Sequence, residues 1–185
     1  VRHPDIAYEF FPDIINSPPE KSLIINIESA GGGAIDFVDG KGGRFATFTL
    51  SNLSNNLIKV NKMTLEVLQW EPYPYPPPIG ARIDTFKYKI LVRPEYLGEY
   101  IITEEKFKYY KGDIDEFEIL CDSPPGNKYL MRLNFYCEDV ATKKGFMCHS
   151  DNFEIKYHRA PTPADIEQMK KDIITKLGKG VTTHR

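Results

Sequence analysis

The run RFATFTLSNLSNNLIKVNKMTLEVLQW, residues 44–70, decides the fold class. It reads as two β-rich segments around a polar turn. Ala46, Phe48 and Leu50 share one face of the first segment and Thr47 and Thr49 the other, the alternation of a half-buried strand. Ser51-Asn52-Leu53-Ser54-Asn55-Asn56 follows, and side chains of this kind bond their own backbone in turns. In the second segment Ile58 and Val60 share a face, the phase then slips, and Met63, Leu65 and Val67 alternate with Thr64 and Glu66. A one-residue slip would turn a strand's apolar set outward, so a bulge or break is expected at Asn61-Lys62.

Working outward, residues 1–21 are interrupted by Pro4, Pro12, Pro18 and Pro19 and carry Tyr8, Phe10 and Phe11. They read as an extended arm or edge strand that docks its rings. Leu23, Ile25 and Ile27 begin the first regular strand. The glycines of residues 30–34 predict a turn into a short strand at 35–38, and residues 39–43 a second turn. Past Trp70, Glu71-Pro72-Tyr73-Pro74-Tyr75-Pro76-Pro77-Pro78 predicts a stiff polyproline-like loop. Residues 82–92 form one strand by alternation, with Phe86, Tyr88, Ile90 and Val92 on one face. Short strands are expected at 99–103 and 106–110, then one at 116–121 with Phe117, Ile119 and Cys121 inward. Residues 128–138 alternate most regularly, with Tyr129, Met131, Leu133, Phe135 and Cys137 on one face. A last strand is expected over 145–157, with Phe153, Ile155 and Tyr157 inward. Closely spaced strands with turn clusters between them predict a β-sandwich rather than βαβ units.

The chain's one helix comes last. Thr162 caps it, Pro163 takes its first position, Asp165 closes a capping-box-like start and Gly178 is the expected stop. Ile166, Met169, Ile173 and Leu177 recur at helical spacing. A helix this short is marginal alone in water, so the stripe either folds back on the sheet or faces a partner or a second copy. The expected organisation is an arm (1–21), a sandwich (22–158), and a linker with an amphipathic helix (159–185).

The run KGDIDEFEILCDSPPGNKYLMRLNFYCED, residues 111–139, resembles the late strands of immunoglobulin-like sandwiches. There a turn with Gly and an acid precedes a strand, and a Pro/Gly turn then leads into a long aromatic strand. With residues 44–70 the resemblance covers about residues 22–158 and implies a mostly β, antiparallel, Ig-like or fibronectin-like sandwich with one C-terminal helix. The antibody Cys…Trp…Cys spacing is missing, and Trp70 ends its strand. The resemblance implies roles in binding, spacing or adhesion and no catalytic residues.

The chain has 185 residues, enough for one domain that buries roughly 70% of its unfolded surface without staples. Its net charge of −2 supplies no basic field, which argues against nucleic acid as the main partner. No stretch approaches the ~20 apolar residues of a membrane-spanning helix, and no secretory leader pattern opens the chain. A start at Val1 is what processing or excision from a longer parent leaves. Cys121, Cys137 and Cys148 read as buried small hydrophobes. The alternative pairs Cys137 with Cys148 across a hairpin and leaves Cys121 free, and a free thiol suits a reducing compartment.

No motif supports an enzyme or a cofactor. His149 and Ser150 are strand neighbours that point to opposite faces, so they do not begin a triad with Asp151. A phosphate loop around Gly40-Lys41 needs glycine at 35 and Ser or Thr at 42, where Ile35 and Gly42 stand. Asp113, Asp115 and Glu116 lack the oxygen series of a calcium loop, and no His/Cys set has zinc spacing. Asn52-Leu53-Ser54 is a glycosylation sequon for a eukaryotic secretory route.

Binding is therefore the expected role. Trp70, Tyr73 and Tyr75 on a proline-stiffened loop either cap the sandwich end or form a recognition platform. Ile166, Met169, Ile173 and Leu177 offer a second surface. Protein partners or self-association are expected through either surface, and an oligosaccharide stacked on the three rings is the alternative.

Overall fold

The computed structural model describes residues 23–77 and 80–179, with side chains through residue 176. The expected arm at 1–21 lies outside the described residues. In chain order the elements are β1 (Leu23–Asp36), β2 (Gly42–Asn52), β3 (Ile58–Pro72), β4 (Arg82–Asp84), β5 (Tyr88–Leu91) and β6 (Gly98–Thr103). β7 (Phe107–Tyr109), β8 (Ile114–Asp122), β9 (Asn127–Asp139), β10 (Lys144–His149), β11 (Phe153–Tyr157) and α1 (Pro163–Lys179) follow.

The strands form two sheets, so the expected mostly β sandwich with a C-terminal helix is what folds. One sheet runs β4-β1-β2-β8-β5. The other centres on the β3–β9 pair, with β10 and β11 sharing the far edge of β9 and β6 and β7 sharing the far edge of β3. Pairing is antiparallel except at β4 on β1 and β5 on β8, two short parallel edges.

The core lies between the sheets. Phe48, Leu50 and Ile119 of the first meet Val60, Leu65, Met131, Leu133, Phe135 and Ile155 of the second, all buried. Each such side chain contributes roughly 1.5–3 kcal/mol by leaving water. The expected slip in β3 is a bulge: Val60 pairs with Cys137 and Lys62 with Tyr136, leaving Asn61 as the extra residue. The bulge returns Met63, Leu65 and Val67 to the core. β2 and β3 do not pair with each other. Their polar turn carries the chain from one sheet to the other.

Five expectations need correction. The glycines at 30–34 do not turn the chain. They lie inside β1, where register shifts at Ile27/Ser29 and Ala30/Gly32 bend the strand and Gly31 takes φ 87°. A Cβ on Gly32 would stand 2.3 Å from the Phe45 ring, so any other residue there would push that ring aside. The strand expected at 35–38 is the end of β1 followed by the hairpin turn, in which Phe37 and Val38 are exposed.

Residues 82–92 are two strands on opposite edges of one sheet. Between them residues 85–87 strap across the sheet's outer face, where Phe86 packs with Ala34, Leu120 and Phe45. Buried Asp36 anchors the strap by accepting from the Val38 and Phe86 amides and the Lys89 ammonium, at 2.7, 3.4 and 2.9 Å. The Lys89 ammonium, aided by those amides, holds the Asp36 carboxyl below its ordinary range.

The expected strand over 145–157 breaks at Ser150. Its backbone and hydroxyl both bond Leu133, at 3.0 Å each, so β10 and β11 take separate halves of the β9 edge. Gly178 does not stop α1, which runs through Lys179.

Candidate functional site

The proline loop is pinned at three points. The Tyr73 amide donates to the Gly126 carbonyl at 2.6 Å, the Arg159 amide to the Tyr75 carbonyl at 2.9 Å, and Arg159 Nε to the Pro74 carbonyl at 2.6 Å. Prolines restrict the remaining freedom, so Tyr73 and Tyr75 are held side by side. Their ring centroids are 4.9 Å apart at a tilt of 58°. Tyr73 also meets the His158 ring edge-on at 5.1 Å, with the Lys156 ammonium 5.7 Å from its centre. Tyr75 is 60% exposed. Burial and the nearby Arg44 charge lower the pKa of His158 and favour the neutral ring.

Trp70 stands apart from this pair. It packs half-buried against the core, and its indole N–H donates to Asn127 Oδ1 at 2.7 Å. The structure thus brings together two of the three expected rings and turns the third toward the sandwich.

The start of α1 follows its sequence pattern. Thr162 and Asp165 exchange capping bonds, the Thr162 amide to Asp165 Oδ2 at 2.7 Å and the Asp165 amide to Thr162 Oγ1 at 3.3 Å. Arg159 grips the same carboxylate with two nitrogens, at 2.6 and 3.1 Å. Of the two expected fates of the apolar stripe, docking on the sheet is not observed. Among the described residues no strand packs along α1, Ile166 is 42% and Ile173 45% exposed, and Met169 is half-buried. The Leu177 side chain lies outside the described residues.

Arg159 therefore joins the two candidate surfaces, binding the loop at Pro74 and Tyr75 and the helix at Asp165. Sequence reading missed it. Its only local signal was a basic residue shortly before the cap, and its reach to Pro74 depends on the tertiary fold.

His149, Ser150, Asp113 and Asp115 bond within the fold. His149 Nδ1 meets the Ser150 carbonyl at 3.0 Å, and the Ser150 hydroxyl donates to the Asp151 carbonyl at 2.7 Å. Asp113 accepts from the Tyr110 amide and Asp115 from the Tyr109 hydroxyl, at 2.7 and 3.2 Å. Among the described residues no group of three or more His, Cys, Asp or Glu could hold a metal ion. All three cysteines are buried free thiols, with Cys137 and Cys148 Sγ 3.9 Å apart. Burial pushes the Cys121 thiol up to about 12, and burial followed by the Cys148 contact raises Cys137.

No protein-family model matches this chain, and no curated protein does. Among solved structures, the chain is similar to the ASH / PapD-like domain of human CEP192 (PapD-like domain 7). The identity is 12% and the TM-score 0.38, over 80% of this chain and 92% of that one.

Proposed function

We propose that this chain is a non-catalytic module that binds a protein partner through a composite surface, the Tyr73/Tyr75 loop beside the apolar face of α1. The observation that carries the reading is Arg159, which holds the loop carbonyls and the helix cap at once. Ile166, Met169 and Ile173, with Leu177 next in the spacing, supply the apolar contact, and Trp70 supports the loop from the core side. Amphipathic helices and rigid tyrosines are the usual anchors of such interfaces. The 58° tilt between the tyrosines offers no coplanar platform to a sugar ring, which favours a protein over an oligosaccharide.

The test is affinity capture with quantitative mass spectrometry, run in parallel on the unaltered chain, M169E/I173E and Y73A/Y75A. A partner so found is then titrated against each purified chain. Both variants should fold and bind at least tenfold more weakly, a loss of about 1.4 kcal/mol. A partner bound equally by all three chains would refute the composite surface.

A further inference from the structure

Among the described residues, part of one edge of β8 has no strand beside it. β8 pairs with β2 along nearly its whole length, from Ser51 opposite Ile114 to Arg44 opposite Cys121. Its other edge is covered by β5 only from Ile119 to Asp122. Over residues 114–118 no strand pairs with that edge among the described residues. β5 does not extend to cover it, because the chain before Tyr88 leaves the edge as the strap. Burial of Phe86 and the Asp36 bonds to Phe86 and Lys89 hold it on the outer face.

Beside the open edge lies a cleft of about 470 Å³. Its inner wall is aromatic apart from Asp115, whose carboxylate accepts from the Tyr109 hydroxyl at 3.2 Å. Phe117 stacks on Phe48 at 5.5 Å and meets Tyr88 edge-on at 6.3 Å, and Phe107 stands on the β7 side. Its outer side carries exposed Glu116, and beside it Glu118, whose carboxylate is already engaged by the Thr47 hydroxyl and the Arg82 guanidinium. Lys87 sits at the mouth, bonded to Glu105 at 2.8 Å, with its ammonium 5.1 and 5.3 Å from the Tyr88 and Phe107 ring centres. The rim thus already holds a cation against rings and carboxylate.

We propose that the open β8 edge over residues 114–118 is a strand-addition site for an extended segment of a partner protein in which apolar and basic residues alternate. Unpaired edge N–H and C=O groups template an added strand. Five residues of edge span about 16 Å. Successive side chains of the added strand point to opposite faces, so one set enters the aromatic cleft and the other lies beside Glu116. A second copy pairing through the same edge would set carboxylate against carboxylate, which opposes self-pairing. The site is separate from the loop–helix surface, and the two readings stand or fall independently.

The probe is a blocked eight-residue peptide of alternating valine and lysine, with a valine–glutamate peptide as control, titrated into the full isotope-labelled chain by NMR. The valine–lysine peptide should shift the amides of residues 114–118 and slow their hydrogen exchange, while those of α1 stay unchanged. E116K alters an exposed side chain, so it should keep its unfolding midpoint and bind this peptide at least tenfold more weakly. Equal binding of the control peptide, unchanged binding to E116K, or no response at residues 114–118 would overturn the proposal. Protection of those amides that grows with protein concentration and without peptide would mean self-pairing, and would overturn it as well.

Discussion

Asn52 shows how much one polar side chain can carry. It is 0% exposed, and its amide nitrogen donates to the Asn56 and Tyr109 carbonyls at 2.9 and 2.8 Å. Its Oδ1 accepts from the Ser54 amide and hydroxyl, at 2.9 and 2.8 Å. The sequon is thus spent on the sheet-to-sheet turn, and the nitrogen that a glycan would occupy is buried and bonded. Asn52→Ala should destabilise the chain by about 2–4 kcal/mol, since it strands buried partners that each cost ~1–3 kcal/mol. Chemical denaturation measures this as a lower midpoint with an unchanged slope. An unchanged midpoint would mean that water replaces the amide. The turn character of residues 51–56 was legible from composition alone. The burial of Asn52 was not, because Tyr109, its partner, lies far along the chain.

Elements reveal where local pattern suffices. The bulge at Asn61 was readable because only an extra residue reconciles two phases of one apolar face. The helix cap was readable because Thr162, Pro163 and Asp165 interact within one turn. The strength of that cap was hidden, since Arg159 supplies it. The Arg159 guanidinium, followed by the Thr162 hydroxyl and amide, holds the Asp165 carboxyl well below its ordinary value of 3.8. A carboxylate whose folded pKa is depressed contributes stability that is present above the unfolded pKa and lost as pH falls through the folded one. The start of α1 should therefore survive acidification through the ordinary carboxylate range and open only below it. Carbon-13 NMR of the Asp165 carboxyl should show that low midpoint, and Arg159→Ala should return it toward 3.8. A wild-type midpoint already near that value would refute the role given to Arg159.

The molecule as a whole divides energetically into sandwich and helix. β3 and β9 are paired along nearly their full length and lie at the centre of the core, whereas among the described residues no strand packs along α1. A helix of 17 residues is marginal without tertiary support. Hydrogen exchange should therefore find the α1 amides opening far more readily than those of β3 and β9. Truncation after Ala160 should leave the unfolding midpoint of the sandwich within the error of the measurement. A large drop would show that the helix stabilises the sandwich.

By itself the sequence determined what short-range physics can specify: strand or helix, which face of each is apolar, where a cap or a bulge must stand, and hence a mostly β sandwich with one terminal helix. Alternation in β9 and β3 and the cap of α1 depend on neighbours within a few residues. Pairing was decided only in three dimensions. β2 and β3 adjoin in the chain yet lie in different sheets, one apparent strand over 82–92 became two edges and a strap, and the glycines of β1 bent a strand instead of ending it. In each case the deciding contacts come from elsewhere: Asp36 holding the strap, Phe45 crossing Gly32, Arg159 reaching the proline loop. Such contacts gain free energy only once distant segments are brought together, and a local pattern of residues carries no record of which segments those are.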